Sequence, residues 1–296
     1  MKNESLKNPA EKDSRVGGFA ADASNRGSWK AGKSFLLFIL AFLYIIPVIV
    51  LFLTSFKTQI QIMEKGFGWF FMPTLMNYSN VLLEQGFLRY MTNSLIVGLA
   101  STFFTLLIGG FASYALVRFN FFGKGTISLG TLLLRMIPPA VLVVPIYVLW
   151  SYFGLADTLL GLVVIYVGLN LPFTIWVLIS FIADVPVELE EAAVVDGCGP
   201  WKIFFTIILP LIKPGLAAAA IFTFRIAWNE FILALVLTNR VTRTLPVATT
   251  IYLTDTGVEW GNITAMGTLV ALPAIIFTFL AAKQLIAGLT AGAVKG

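Results

Sequence analysis

Residues 27–34 read GSWKAGKS, with Gly27 and Gly32 followed by Lys33 and Ser34. This spacing spells a phosphate-binding loop, in which backbone amides cradle phosphates and the lysine meets the β and γ groups. That chemistry needs a buried strand before the loop and a helix opening at its Lys-Ser end. Upstream stands RVGGFAADASNR, with no apolar run able to form a strand. Downstream stands SFLLFILAFLYIIPVIVLFLTSF, far too long and apolar for a soluble nucleotide-binding domain. The string is therefore a basic flank before a membrane span, and no ATPase site is expected in this chain. Other reactive groups are scarce. The sequence has no histidine, which removes Ser-His-Asp and Cys-His catalysis and histidine metal sites. Cys198 is the only cysteine. It has no partner for an internal disulfide and no histidine to activate it.

The densest acidic cluster lies in ADVPVELEEAAVVDGCGPWKIFFTIILPLIKPG. Asp184, Glu188, Glu190, Glu191 and Asp196 are five of the chain's 15 acids. Asp184 and Pro186 are helix-start signals, and acids in the first turns suit the helix dipole. Gly197 is a stop signal. Gly199-Pro200 starts a second helix running to Pro210, so the segment reads as helix, turn, helix. On the first helix Leu189, Ala192, Ala193 and Asp196 share a face at i, i+3, i+4, i+7 spacing. Its small alanines and acidic flanks suit docking in a groove on another protein.

The surrounding elements are those of a membrane. Of 296 residues 58% are hydrophobic and only 12% charged, against about 25% charged in a soluble domain. A helix needs about 20 apolar residues to cross a bilayer. Six segments qualify, near Ser34–Phe56, Met91–Val117, Ile127–Trp150, Leu162–Ile182, Gly215–Leu237 and Ile263–Ile286. A β-barrel would show short alternating segments instead. With the N-terminus inside, 13 Lys and Arg residues lie on the inner side and five (Lys57, Lys65, Arg89, Arg240, Arg243) on the outer. The positive-inside rule then places both termini in the cytoplasm, with the N-terminal tail setting the bias. The basic residues serve topology, so no nucleic-acid partner is inferred. Residues 1–33 are too polar to fold and are read as a disordered tail. Residues 57–88 form an outer loop whose GFGWFFMPTLMNY aromatics suit the membrane interface. Pro138-Pro139 suggests a broken third span, serving either as a packed kink or as part of a translocation path.

Arg135, Asn170, Arg225, Trp228, Asn229 and Glu230 lie in or near the apolar runs. Ionisable groups there usually face a cavity or pair with one another. Trp228 beside Asn229 and Glu230 offers a stacking surface and two hydrogen-bonding groups for a solute with an apolar face and hydroxyls. The alternative is structural, with Glu230 paired to Arg135 or Arg225. Asn93, Tyr114 and Trp176 are weaker candidates.

Glu191-Ala192-Ala193, three residues, Gly197, nine residues, Ile207, one residue and Leu209-Pro210 match the EAA-x3-G-x9-I-x-LP signature at every fixed position. This resembles the permease subunits of bacterial ABC importers. RMIPPAVLVVPIYVLW, LNLPFTIWVL, FRIAWNEFILALVLT and GLTAGAVKG look like the carbohydrate branch, the maltose-type second permease subunit and related sugar and polyol permeases. The resemblance implies an all-α membrane protein with six transmembrane helices. It implies a type I ABC importer permease fold with a cytoplasmic coupling helix between spans four and five. The first transmembrane helix is then 34–56, the permease core 89–290, the coupling loop 183–213 and the C-terminal cytoplasmic tail 291–296. A second, homologous permease would complete the pathway, and an extracytoplasmic binding protein would deliver a sugar or polyol. A dimer of ABC ATPases would dock on 183–213, holding ATP and Mg, with no cofactor in this chain. Glu191, Ala192, Ala193, Gly197, Ile207, Leu209 and Pro210 carry the coupling role by this resemblance.

Two other classes explain less. A self-contained secondary transporter leaves the EAA loop unexplained, and Glu230 is the only clear intramembrane acid. A membrane enzyme lacks histidine and clustered intramembrane acids. An importer for amino acids or phosphate is the alternative within the same class.

Overall fold

The computed structural model describes residues 33–65, 68–84, 86–255 and 257–293. The tail 1–32, with most of GSWKAGKS, and residues 294–296 lie outside them. The chain divides into two units, Met1–Leu53 and Thr54–Gly296. In the first, α1 (Lys33–Thr54) is a 22-residue helix, about 33 Å long at the usual rise and sufficient to cross a bilayer.

The second unit is almost wholly helical. It opens with α2 (Gln59–Lys65) and α3 (Met76–Ser79), which continues as a π turn, Asn80–Glu84. Then come α4 (Phe87–Arg118), α5 (Lys124–Arg135), α6 (Pro139–Tyr152) and α7 (Leu159–Ala183). The short α8 (Glu188–Val195) is followed by α9 (Pro200–Leu211) and α10 (Lys213–Asn229). The chain ends with α11 (Ile232–Leu237), α12 (Leu245–Ala248), a two-residue antiparallel pair β1 (Leu253–Thr254) and β2 (Gly257–Val258), and α13 (Trp260–Ala293).

Among the described residues four helices, α1, α4, α7 and α13, are long and apolar enough to cross a membrane unbroken. Two bent pairs bring the total to six: α5 and α6 meet at 102°, and α9 and α10 at 78°. The first bend falls at Pro138-Pro139, where Pro138 is extended and Pro139 opens α6. A proline disfavours helical backbone in the residue before it, so the pair stops α5 and starts α6. The fifth span differs from a continuous run to Leu237. α10 ends at Asn229, Glu230 is extended, and α11 begins two residues later. No Gly or Pro marks that break.

The spans hide polar groups and show apolar ones. On α4, Ser101, Thr102, Thr105 and Ser113 are buried while Phe103, Phe104, Leu107 and Ile108 are exposed. Small and hydroxylated residues let membrane helices approach and bond, and lipid covers the apolar face. Ser113 donates to Ile175 O of α7 at 3.2 Å, and Thr174 and Thr223 bond across α7 and α10 at 3.2 Å. The start of α10 depends on Gly215. A Cβ there would fall 2.5 Å from Phe181 Cγ and 3.0 Å from Phe181 Cβ. Gly215→Val is expected to cost about 1–3 kcal/mol, as overpacking does, seen as a lower melting temperature of the purified protein. An unchanged melting temperature would show that Phe181 yields freely.

Candidate functional site

The site is the connection from α7 to α10, built around α8. Its eight residues carry Glu188, Glu190 and Glu191 in the first turn, where carboxylates favour the dipole and bare amides. The helix ends in a two-bond stop. Gly197 N donates to Val194 O at 2.9 Å, and Cys198 N donates to Ala193 O at 2.9 Å. Gly197 holds φ +79°, the left-handed backbone that this stop requires and that glycine adopts without a Cβ penalty. Space around it is open, so the backbone, and not crowding, selects glycine. Gly199 is extended and Pro200 takes the first position of α9. α9 contains a π turn over Phe204–Ile208 and ends at Leu211, one residue beyond Pro210. Ile207 and Leu209 pack partly buried against the cluster of Ile182, Val185, Ile203 and Ile208, and Pro210 is exposed.

The face of α8 is turned from the one the spacing suggests. Leu189, Ala192 and Asp196 are exposed, but Ala193 points inward and is 7% exposed. Glu190 is buried beside it, while Glu188, Glu191, Val194 and Val195 face outward. The cause is Glu190. Its carboxylate pairs with the Arg118 guanidinium and accepts from Tyr114 Oη at 2.7 Å. Arg118 also donates to Ile182 O at 3.1 Å, which the Val185 amide bonds too, and to Val185 O at 2.7 Å, just past the end of α7. Sequence reasoning missed this pair. Arg118 stands 72 residues before Glu190, and the only hint was its place at the end of the second span. Aromatic contacts hold α9 to the same end of α4: Phe111 lies 4.7 Å from Phe204 and 5.3 Å from Trp201 between ring centroids.

The intramembrane candidates do not gather into one site. Trp228 is 1% exposed, lies 5.5 Å from Phe224 ring to ring and donates Nε1 to Val270 O at 3.1 Å. It is a core residue with no face open for stacking. Asn170 is buried and donates to Tyr166 O at 2.8 Å. Glu230 pairs with neither Arg135 nor Arg225. It accepts from Tyr166 Oη at 2.7 Å and from the backbone of Leu233 at 2.9 Å and Ala234 at 3.0 Å, capping α11. Arg135 lies 4.3 Å over the Phe173 ring and Arg225 6.0 Å from Phe222. Arg135, Arg225 and Asn229 are exposed. Asn93 donates to Val241 O and Arg243 O, a tie between α4 and the loop after α11. Tyr114 is held by Glu190, and Trp176 is exposed.

Spans with buried hydroxyls and apolar outer faces, plus a short acidic helix exposed at one end, define a multi-pass membrane protein. The chain belongs to the family of binding-protein-dependent transport system inner membrane components, whose model matches residues 105–290. This membership makes the chain a component of a transport system that works with a binding protein, which removes the reading as a self-contained secondary transporter. The chain is 38% identical over 256 residues to the diacetylchitobiose uptake system permease protein DasC of Streptomyces coelicolor, covering 85% of this chain and 92% of that protein. It is 37% identical over 226 residues to the trehalose transport system permease protein SugB of Mycobacterium tuberculosis, covering 75% and 82%. Its fold matches a chain from the crystal structure of a bacterial ABC transporter that imports alginate. That match has TM-score 0.71 and 20% identity, and covers 95% of this chain and 99% of that one.

Proposed function

We propose that this chain is a permease subunit of an ABC importer for a sugar, oligosaccharide or polyol. It forms half of the translocation pathway beside a homologous permease. α8 docks in a groove of an ABC ATPase through Glu191, Ala192 and the outward acids, and an extracytoplasmic binding protein delivers the solute. Both termini then face the cytoplasm, and ATP and Mg belong to the ATPase subunits. The observation that carries the reading is α8 itself. It is a short helix with an exposed flat face at Ala192, acids around it, and a left-handed stop at Gly197. The carbohydrate class is supported by the likeness to the diacetylchitobiose and trehalose permeases.

The test is uptake by the reconstituted complex with labelled mono- and disaccharides, polyols, amino acids and phosphate. Uptake confined to amino acids or phosphate would overturn the carbohydrate class. Glu191→Lys sets a cation where the groove must supply one, and like-charge contacts cost several kcal/mol. Gly197→Val forces a β-branched residue into left-handed backbone at about 1–2 kcal/mol. Both variants are expected to reach the membrane and to separate ATP hydrolysis from uptake. Normal ATP-driven uptake by both would remove α8 from the docking role.

A further inference from the structure

A docking helix transmits motion only if it cannot swivel on its own tethers. α8 is eight residues long and hangs between two turns, one at Val185-Pro186 and one at Gly197. Backbone alone would leave it hinged at both ends. Three side-chain ties remove that freedom. The Glu190 carboxylate meets Arg118 from α4 and the Tyr114 hydroxyl one turn earlier on α4. The same guanidinium, through its other nitrogen, bonds Ile182 O and Val185 O at the end of α7. Ala193, one turn on from Glu190, packs into the cluster of Leu178, Ile182, Val185 and Ile203. Arg118 and Glu190 side chains are only 12% and 11% exposed, so water does not loosen the pair.

We propose that Arg118 is a positioning residue that pins α8 to the ends of α4 and α7 through Glu190, so that the three move as one body when the ATPase closes. The proposal rests on α8 being the ATPase-docking helix. The planar guanidinium suits the task, because it holds a carboxylate and backbone carbonyls at once in fixed directions. Glu190 and Glu191 then do opposite work. Glu191 faces the partner, and Glu190 faces the chain's own spans.

The test uses the complete complex of this chain, its partner permease and the ATPase in lipid nanodiscs. Spin labels go at Phe122→Cys, beyond the end of α4, and Val194→Cys, on the outer side of α8, in a Cys198→Ser background. With native Arg118 and Glu190, the label distance is expected to be single and narrow, and the same without nucleotide and with ATP trapped by vanadate. In Glu190→Gln, which keeps the side-chain volume, the distribution is expected to broaden and to shift on trapping, while the ATPase subunits remain bound at full stoichiometry. Tyr114→Phe, which removes one hydroxyl, is expected to broaden it less. A distance that shifts on trapping with both residues native, or stays narrow in Glu190→Gln, overturns the pin. Loss of the ATPase from Glu190→Gln also overturns it, by making Glu190 a docking residue. Glu191→Lys separates the two readings: if that variant keeps both its full ATPase complement and normal ATP-driven uptake, the docking assignment fails, whatever the labels report.

Discussion

Arg118→Met is expected to be among the most damaging single substitutions in the permease core. It leaves the Glu190 carboxylate buried with Tyr114 as its remaining side-chain partner, it strips Val185 O of its donor, and it leaves Ile182 O with the Val185 amide alone. Removing one member of a buried ion pair costs about 3–5 kcal/mol, because the other charge remains without compensation. Replacing both members with apolar groups of similar volume is often neutral. The double variant Arg118→Met with Glu190→Leu is therefore expected to recover more than half of the loss, limited by the freed Val185 carbonyl. Thermal unfolding of the single and double variants in detergent measures both. A single variant as stable as the parent would mean that the carboxylate is hydrated or protonated where the structure shows it paired.

Glu230→Leu is the second large effect. One carboxylate serves the Tyr166 hydroxyl and the amides of Leu233 and Ala234, the second and third residues of α11. Leucine leaves three donors without that acceptor, and a buried unsatisfied donor costs about 1–3 kcal/mol. A loss of at least about 2 kcal/mol is expected even if water reaches one of the amides. Glu230→Gln keeps one acceptor oxygen and is expected to lose less than half as much. The comparison of the two melting curves decides whether capping or charge matters. Equal losses would show that the negative charge, and not the hydrogen bonds, holds the junction of α10 and α11.

What the sequence disclosed follows from how local each signal is. The EAA spacing, the glycine stop at 197 and the proline break at 138–139 are written in adjacent residues, and each acts on the backbone within one turn. The spans are legible for the same reason, since a long apolar run has few other uses. The inward turn of Ala193 was not legible, because Arg118 sets it from a distant part of the chain. Trp228 looked like a sugar platform beside Asn229 and Glu230, but these neighbours point in different directions from one helix end. Glu230 shows the limit most plainly. A lone acid in an apolar run invites a charged partner in the mind of a reader, whereas the folded chain satisfies it with a phenol and two amides.

The split of the alanine doublet has a consequence for inheritance. Ala193 fits against residues of its own polypeptide, so a larger side chain there can be accommodated by a second change in the same gene. Ala192 faces outward, so with an ATPase seated on it the answering change must arise in a different gene. If α8 docks as proposed, one pair of identical neighbours belongs to two histories, one internal to this chain and one shared with another.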